Sequence, residues 1–405
     1  MFIYNLFIYI YKSAICILSF FNPTIRSMRK GERLAINTIA RMRGKGERWV
    51  WVHAASLGEF EQGRPLIERI HAHNTEYKIL LTFFSPSGFE IRKNYQGADL
   101  ITYLPLDTPR NARLFVETLR PEKVYIVKYE FWLNYLSALR KNNIETYIIS
   151  AIFRPSQPFF KWYGSIFRRC LTTFRTLYVQ NDESVALLRT IGINNAVAVG
   201  DTRFDRVTDI ASSACLLPLV SRFAENHITI VVGSSWDPDE QLLAPYINRH
   251  AAGGIRMIIA PHHVEPERIA QLTSRLTCRY ALYTDLKEDS ETDFDVLIIN
   301  TIGILSSVYQ YGKVAYIGGG FGVGIHNTLE AAVWGMPVVF GPNYHKFREA
   351  CELIECGGAK AISNEQECAE ALDYFISNNS RHAELARDYV ASHIGASDII
   401  YKETF

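Results

Sequence analysis

The chain carries two consecutive series of short apolar runs rich in β-branched and aromatic residues, separated by helical stretches. The first series, within residues 48–202, consists of RWVWVHA, YKILLTFF, LITYLPL, KVYIVKY, ETYIISA, TLYVQ and AVAVGD. The second follows a break at about residues 202–218, which ends in the helix-poor CLLP, and consists of HITIVVGSS, IRMIIAPHH, YALYT, DVLIINT, KVAYIGGG and PVVFGP. Strands that are apolar on both faces suit a parallel sheet covered by helices on both sides. We therefore predict two doubly wound α/β domains, with ligands at the carboxyl ends of the strands in a cleft between them.

Composition agrees with a large folded protein. The 405 residues exceed one ordinary core, and 48% hydrophobic with 21% charged residues is typical of globular rather than disordered chains. A formal net charge of +1 gives no reason to expect a nucleic-acid partner. The 7 cysteines are scattered and never spaced C-x-x-C, so we expect neither a disulfide framework nor a zinc site.

The N-terminal segment MFIYNLFIYIYKSAICILSFF carries Lys12 as its single charge. It is long enough to span a bilayer, but Lys12 near its middle makes spanning costly, and an anchor lying in one leaflet fits as well. A collar of basic residues follows, opposed only by Glu32 and Glu47: Arg26, Arg29, Lys30, Arg33, Arg41, Arg43, Lys45 and Arg48. This pattern predicts an anchor at the cytoplasmic face of a membrane. The alternative is a buried N-terminal helix followed by a solvated charged stretch.

The first candidate for chemistry is the turn Ser56-Leu57-Gly58-Glu59, directly after RWVWVHA. Glu59 would lie in the first turn of a helix, where the helix dipole favours its anionic form. A carboxylate at this point can accept a proton from an attacking hydroxyl. On the local pattern alone, however, a helix N-cap at Ser56 with a favourable first-turn acid is the better interpretation.

Three further residues of the first half are candidates. Glu130 follows the run KVYIV and is expected to shape the acceptor side or to hold another group in place. Arg154 belongs to FRPSQPFFKWYGSIFRR, whose mixed aromatic and basic residues suit a membrane interface, a phosphorylated acylated substrate or an ordinary amphipathic helix. Arg203, in GDTRFDR, is placed to reach an anionic donor or to pair with Asp201 or Asp205.

In the second half, two strand ends carry polar residues. Gly233-Ser234-Ser235 precedes the helical stretch WDPDEQLL and fits either an anion site or a simple turn with serine as the N-cap. His262 and His263 end the run IRMIIAPHH and would donate to a phosphate or sugar oxygen, or have no role. A metal pair would need a third ligand at defined spacing, and none is evident.

The strongest local signal is the loop at residues 318–330, GGGFGVGIHNTLE, which contains five glycines. Such a loop lets backbone approach a ligand closely, and the helix predicted over HNTLEAAVWG would bind phosphate at its N-terminus. Glu330, one turn into that helix, would hydrogen-bond ribose, and His326 would share its face. The loop lacks G-K-[ST] and is no P-loop, and it lacks a G-x-G-x-x-G after a first strand, which argues against a dehydrogenase. A flexible glycine-rich turn is the alternative.

The ordered motifs resemble those of the 3-deoxy-D-manno-octulosonic acid (Kdo) transferases of lipopolysaccharide assembly, along nearly the whole chain. They are HAASLGE, TFFSPSG, YEFWLN, SAIFRPSQPFF, VQNDE, VGDTRFDR, VGSSW and IGGGFGVGIHNTLEAAVWGMPVVFGP. The resemblance implies a GT-B glycosyltransferase with two Rossmann-like domains, no cofactor, CMP-Kdo as donor and a lipid A precursor as acceptor. It implies a membrane anchor at residues 1–24, an acceptor domain at 25–205, a donor domain at 206–380 and a helix at 381–405 packing back toward the acceptor domain.

Carried over position by position, the resemblance makes Glu59 the catalytic base. The residues expected on the donor side are Arg203, Gly233, Ser234, Ser235, His262, His263, Gly319, Gly320, His326, Asn327 and Glu330. Those expected on the acceptor side are Ser56, Gly58, Glu130 and Arg154. The chain departs from the family where A-P-R-H-P-E-R is replaced by APHHVEPER, and where G-G-H-N is replaced by Gly324-Ile325-His326-Asn327. An arginine of the donor clamp is thus missing or relocated.

The expected reaction is a direct inverting displacement without a metal, at the cytoplasmic face of the inner membrane among its lipids. Glu59 would deprotonate an acceptor hydroxyl, which attacks the anomeric carbon of Kdo as CMP leaves. The alternatives are another nucleotide-sugar enzyme of the same architecture, either a UDP-N-acetylglucosamine 2-epimerase or a lipid A disaccharide synthase, and a membrane-bound nucleotide-sugar sensor. An epimerase has no need of a membrane anchor, so the N-terminal segment argues against it.

Overall fold

The computed structural model describes all 405 residues. The chain divides into two compact units: unit 1 contains Met1–Arg206 and Ile394–Phe405, and unit 2 contains Val207–His393.

The secondary structure alternates between strands and helices throughout both units. The helices are α1 (Phe2–Phe21), α2 (Pro23–Met42), α3 (Leu57–His73), α4 (Pro86–Arg92), α5 (Pro109–Leu119), α6 (Leu133–Lys141), α7 (Ser165–Leu171), α8 (Asp182–Arg189), α9 (Thr202–Ser212), α10 (Pro218–Ala224), α11 (Asp237–His250), α12 (Pro266–Thr273), α13 (Leu305–Val308), α14 (Leu329–Ala332), α15 (Arg348–Glu355), α16 (Glu365–Ser377), α17 (Asn379–Ala391) and α18 (Ala396–Thr404). The strands are β1 (Arg48–Ala54), β2 (Tyr77–Phe83), β3 (Leu100–Tyr103), β4 (Lys123–Val127), β5 (Glu145–Ala151), β6 (Thr176–Val179), β7 (Ala196–Ala198), β8 (Ile228–Ser235), β9 (Ile255–Pro261), β10 (Tyr280–Leu282), β11 (Val296–Ile298), β12 (Val314–Ile317), β13 (Val338–Phe340) and β14 (Ala359–Ala361).

Each unit is built on one parallel sheet of seven strands. The order is β3-β2-β1-β4-β5-β6-β7 in unit 1 and β10-β11-β9-β8-β12-β13-β14 in unit 2. The strand order therefore reverses between β1 and β4 in unit 1 and between β8 and β12 in unit 2. In doubly wound sheets, ligands bind outside the carboxyl ends of the strands at such a reversal. Every apolar run predicted as a strand forms one, and the prediction of two doubly wound domains is confirmed.

Both faces of each sheet are buried, which explains the near-continuous apolar strands. In unit 1, Trp51 packs with Phe115 and Tyr135 on one face, at ring separations of 4.9 and 5.8 Å. Tyr125 and Tyr147 stack at 5.2 Å on the other face. Burying a large aromatic side chain contributes about 2–3 kcal/mol each, so these layers hold the strand ends in fixed positions.

The break predicted between the two series at 202–218 contains a helix, and residues 213–217, which include most of CLLP, lie outside helices. Residues Thr202–Ser212 form α9, and the boundary between the units falls inside this helix. The sequence TRFDRVTDIAS has apolar residues three and four positions apart, and Phe204 and Val207 are buried. The polar residues between these apolar ones make the helical spacing difficult to recognise from the sequence.

The C-terminal segment is divided between the units. α17 belongs to unit 2, where His382 Nδ1 lies 2.7 Å from the carbonyl oxygen of Gly357. After Gly395, whose φ of 108° only glycine adopts easily, α18 belongs to unit 1. Asp205 accepts hydrogen bonds from the backbone N–H groups of Gly395 and Ser397, at 2.5 and 2.7 Å, and so caps α18.

The N-terminal helix α1 leaves most of its apolar side chains exposed. Its buried residues are Ile8, Ile15 and Ser19, and by length and composition it is able to cross a membrane. Its N-terminal end is nevertheless tied to unit 1, because Tyr4 donates to Asp107 at 2.6 Å and Asn134 donates to Asn5 at 2.9 Å. The alternative of a buried N-terminal helix does not describe this exposed surface.

Candidate active site

Glu59 lies at the carboxyl end of β1, in the first turn of α3. Ser56 occupies the N-cap position, but its side chain caps no backbone N–H group and instead donates to the Glu59 carboxylate. The interpretation of Ser56 as a side-chain N-cap is therefore wrong, because its hydroxyl bonds to Glu59 and not to the helix backbone. Glu59 is half-buried and Gly58 is exposed, so the carboxylate is held by its neighbour and accessible from outside.

Glu130 follows β4, the strand next to β1, and it faces a histidine that the sequence reasoning missed. His53 is 1% exposed and places Nδ1 2.9 Å from Thr82 Oγ1. Its Nε2 atom has no hydrogen-bond partner and lies 3.7 Å from Glu130 Oε2. His53 thus lies behind Glu130 at the strand reversal of unit 1. Inside an apolar strand such a histidine carries no separate sequence signal.

Arg203 pairs with Asp201, as one of the two sequence interpretations proposed. Its Nε and Nη2 atoms lie 2.8 and 2.7 Å from Asp201 Oδ2. Burial alone would raise the pKa of Asp201, but the Arg203 guanidinium and a hydrogen bond from Gln62 hold it below its usual value. Arg154 is exposed at the end of β5, where it neighbours Tyr129. A contact between Arg203 and an anionic donor remains a proposal.

In unit 2, Asp239 organises the strand ends that surround the glycine-rich loop. It is fully buried and accepts hydrogen bonds from Gly319 N at 3.0 Å, Trp236 N at 2.8 Å and Tyr316 Oη at 2.9 Å. Burial raises the pKa of Asp239, while these donors oppose the shift. One carboxylate therefore fixes the start of the loop against the start of α11. The sequence gives no sign of this role, because Asp239 falls in an ordinary acidic stretch of a first helical turn.

Four side chains form a cluster of aromatic and imidazole rings at the ends of β8, β9 and β12. Trp236 stacks on His262 with ring centroids 4.5 Å apart, and His262 stacks on His326 at 4.7 Å. Trp236 also donates its indole N–H to His326 Nε2 at 3.1 Å, and His263 lies edge-on to Trp236 at 5.0 Å. Partial burial lowers the pKa of both His262 and His326, and neighbouring imidazoles add to the shift. These shifts favour the neutral form of His262 and His326.

The glycines at these strand ends pack closely against backbone atoms or a buried side chain. A Cβ atom on Gly318 would lie 2.3 Å from the carbonyl oxygen of Ser234, and one on Gly320 would lie 2.6 Å from Gly341 Cα. A Cβ atom on Gly233 would lie 1.8 Å from Tyr309 Oη. Close packing alone therefore requires glycine at these positions. Ser234, with a φ of 53°, adopts a left-handed conformation that is strained for serine.

The predicted helix over HNTLEAAVWG is shorter than expected. α14 begins at Leu329 and ends at Ala332, so His326 precedes it and does not share a helical face with Glu330. The helix that was expected to bind phosphate at its N-terminus thus makes barely one turn, and phosphate binding there stays a prediction. Glu330 instead accepts from Asn327 Nδ2 and from Ser306 Oγ, both at 3.0 Å. Asn327 is thereby fixed beside His326.

A second buried acid, Glu240, lies next to Asp239 in the first turn of α11. Ser235 donates to Glu240 at 2.8 Å, and it is Trp236, rather than a serine, that holds the N-cap position of α11. Arg268, in the stretch where the family arginine is displaced, donates to the same Glu240. Burial raises the pKa of Glu240, against the opposing effect of Ser235 and Arg268. Arg268 thus serves an internal ion pair in this structure.

Comparisons with known proteins agree along both units. The family described as 3-deoxy-D-manno-octulosonic-acid transferase (kdotransferase) matches residues 28–206. The 3-deoxy-D-manno-octulosonic acid transferase of Aquifex aeolicus is 28% identical over 81% of this chain and 86% of its own length. That of Bordetella pertussis is 27% identical over 86% of this chain and 85% of its own. The chain is therefore similar to Kdo transferases over most of its length. It is a glycosyltransferase.

Solved structures share the fold at much lower identity. The UDP-GlcNAc 2-epimerase of Neisseria meningitidis has a TM-score of 0.61 at 16% identity, covering 87% of this chain and 98% of its own. A glycosyltransferase of Rickettsia africae has a TM-score of 0.57 at 13% identity, covering 88% of this chain and 98% of its own. These likenesses confirm the predicted GT-B-type architecture of two Rossmann-like domains.

Replacing Gly318 by alanine is expected to destabilise unit 2 by about 2 kcal/mol, because the new Cβ would overlap backbone atoms of Ser234 and Ser235. Gly322 in the same loop is the matched control, since its added Cβ would meet only Gly319 O at 3.6 Å. Thermal unfolding of the full chain should show a lower midpoint temperature for Gly318→Ala than for the wild type. The midpoint temperature of Gly322→Ala should differ from that of the wild type only as much as it does for an ordinary surface substitution. Equal midpoints would contradict the packing described.

The pKa of His326 is expected to rise toward its ordinary value in Trp236→Phe. In the wild type, Nε2 accepts the indole N–H, so a proton at Nε2 would break that bond. Because the folded pKa lies below the unfolded one, the imidazole stabilises the fold above about pH 6.5 and loses this contribution as the pH falls through the folded value. NMR titration of the ring protons measures both variants. An unchanged or lower pKa in Trp236→Phe would contradict the assignment.

Proposed function

We propose that this protein is an inverting Kdo transferase that moves Kdo from CMP-Kdo to a hydroxyl of a lipid A precursor. The observation that carries the proposal is the Glu59 carboxylate, held by Ser56 at the strand reversal of unit 1. The sequence similarity to Kdo transferases extends over both units, which supports a complete donor and acceptor apparatus. We assign the acceptor to unit 1 and the donor to unit 2.

In this mechanism, Glu59 removes the proton from the acceptor hydroxyl while the hydroxyl oxygen bonds to the anomeric carbon of Kdo. The bond from that carbon to the phosphate oxygen breaks, and CMP leaves with the bonding electrons. Attack opposite to the leaving group inverts the configuration at this carbon. Glu130, backed by His53, follows the strand beside β1 and would orient the acceptor. The proposed mechanism needs no metal, because Glu59 acts as the base and CMP is the leaving group.

The donor would be held by the strand ends of unit 2. Backbone N–H groups around Ser234 and Gly320, together with the neutral rings of His262 and His326, provide donors that suit the CMP phosphate and the Kdo carboxylate. Asn327, oriented by Glu330, offers an amide for a sugar or ribose hydroxyl. An anionic ligand would favour the protonated imidazoles, so donor affinity should increase as the pH falls toward their pKa values.

The acceptor is acylated, and α1 fits a location beside it. The helix exposes an apolar surface that includes Phe2, Phe7 and Phe21, at 83, 66 and 81% exposure. The basic residues of α2 follow at once, in the arrangement that anionic headgroups attract. We therefore propose attachment to the cytoplasmic face of the inner membrane, where its lipids are the remaining partners.

The donor choice is tested by offering two donors to the same preparation. Detergent-solubilised protein is incubated with a lipid A precursor and either CMP-Kdo generated in situ or UDP-N-acetylglucosamine, and the lipid is followed by mass spectrometry. We expect a mass gain of one or more Kdo units with CMP-Kdo only. Conversion of UDP-N-acetylglucosamine without a change in the lipid would instead establish an epimerase, and transfer from a UDP-sugar would establish a different glycosyltransferase.

A further inference from the structure

A polar cavity of about 290 Å³ lies beneath the apolar helix α1, outside the candidate active site. It is enclosed by α1, α2 and the segment that follows β3. Its charged lining consists of Lys12 from α1 and Arg29, Glu32 and Arg33 from α2. Asn111, from the first turn of α5, adds an amide. Three cations and one carboxyl therefore face a single space.

The arrangement of these groups favours an anion. Arg29 is half-buried and already donates to Ser19 Oγ at 2.6 Å, which fixes its guanidinium at the wall. Lys12 and Arg33 are exposed, and no hydrogen bond within unit 1 holds their charged groups away from the cavity. A compact ligand with several acceptor oxygens would satisfy all three cations together, as a phosphate does.

Glu32 is compatible with a phosphate at this position. Its Oε1 atom is buried without a hydrogen-bond partner. Burial raises the pKa of Glu32 to about 7, although Arg29 and Arg33 act in the opposite direction. A protonated carboxyl carries no charge that would repel the ligand, and its O–H group can donate to a phosphate oxygen. The unpartnered oxygen is thus an available contact.

The position of the cavity indicates a lipid as the source of the phosphate. Lys12 lies on α1 between Phe7 and Ile17, which are 66 and 61% exposed. When such a surface lies in a leaflet, the flank of the helix is at the level of the headgroups. The cavity also lies near the edge of the unit 1 sheet where the carboxyl ends of the strands meet. The segment after β3 starts at this edge, as Glu59 does after β1, and β3 is two strands from β1.

We propose that this cavity binds the phosphomonoester of a lipid whose acyl chains lie beside α1. The lipid is either a phospholipid of the bilayer or the phosphorylated acceptor itself, and the chemistry recognised is the same. The inference rests on the proposed membrane attachment of α1 but not on the transfer of Kdo. A phosphomonoester is preferred to a phosphodiester because its second charge matches the excess of cations.

Vesicle flotation of the full chain tests this directly. The vesicles are phosphatidylcholine alone, or with the same small fraction of phosphatidic acid, a monoester, or phosphatidylglycerol, a diester. We expect the wild type to prefer phosphatidic acid, and Arg33→Gln to lose about tenfold of that affinity, because it loses a charge-assisted hydrogen bond to the phosphate. Lys30→Gln is the matched control, because Lys30 is exposed on α2 and does not line the cavity.

Each outcome decides the proposal. Equal binding to the two anionic vesicles, or equal losses in Arg33→Gln and Lys30→Gln, would mean diffuse attraction and would overturn it. Failure to bind any vesicle would also overturn it together with the membrane attachment, while leaving Kdo transfer in detergent unaffected. A rise of the acceptor KM in Arg33→Gln that disappears with a dephosphorylated acceptor supports the acceptor as the source. A change in vesicle binding alone supports a bulk phospholipid.

Discussion

Glu59→Gln is expected to lower the rate of Kdo transfer by about 10³-fold. The amide retains the shape of the side chain and can still interact with Ser56, but it cannot accept a proton from the acceptor hydroxyl. The half-buried position of Glu59 limits replacement of the base by water. The loss should appear in kcat, with the KM values for donor and acceptor nearly unchanged, because a base acts in the transition state.

Glu90→Gln serves as the control for this substitution, since Glu90 is exposed on α4 and pairs with Lys93 there. Its activity should equal that of the wild type. Both variants should unfold at the wild-type temperature, which separates loss of the base from loss of the fold. Full activity of Glu59→Gln would show that Glu59 is not the catalytic base. Glu130 would then be the next carboxylate to test.

Asp239→Ala is expected to destabilise unit 2 by about 3–5 kcal/mol and to abolish donor binding. The substitution leaves two backbone N–H groups and the Tyr316 hydroxyl buried without an acceptor, at about 1–3 kcal/mol each. It also releases Gly319 from α11, so that the loop loses the position from which it would contact the donor. Calorimetric unfolding of the full chain and the donor KM measure the two effects.

Asp239→Asn should be milder, because its amide oxygen still accepts while its nitrogen cannot. Asp289→Ala is the matched control in the same unit, since Asp289 is exposed between α12 and α13 and has no such role. A wild-type unfolding profile and donor KM in Asp239→Ala would show that the loop is held by other contacts. The account of the unit 2 strand ends would then be wrong.

Much of the fold follows from the sequence, because covered parallel strands are apolar on both faces. The runs that contain β1 and β8 show this pattern over seven or more residues, and the sheets form there. β14 has only the sequence Ala-Lys-Ala and was missed, since its place depends on pairing with β13 rather than on its own composition. The helix α9 was missed because charged residues break up its apolar spacing.

The candidate site was less accessible to sequence reasoning. The positions of Glu59 and the glycine-rich loop follow from strand ends, which the apolar runs define. The residues that support them do not follow from the sequence, because His53 meets Glu130, and Asp239 meets Tyr316, across 77 residues of the chain. The helical face predicted for His326 and Glu330 failed because α14 starts only at Leu329. The glycine-rich segment before α14 delays the start of this helix. The spacing of residues along the sequence does not show at which residue the helix begins.

The stereochemical course of transfer tests the central claim most directly. The wild type is given CMP-Kdo labelled with ¹³C at the anomeric carbon and a lipid A precursor, and the reaction is followed by NMR. We predict one CMP released per Kdo transferred, with the labelled carbon in the product in the configuration opposite to that in the donor. Retention of configuration, or consumption of CMP-Kdo without a new bond to the lipid, would contradict direct displacement by a hydroxyl that Glu59 activates.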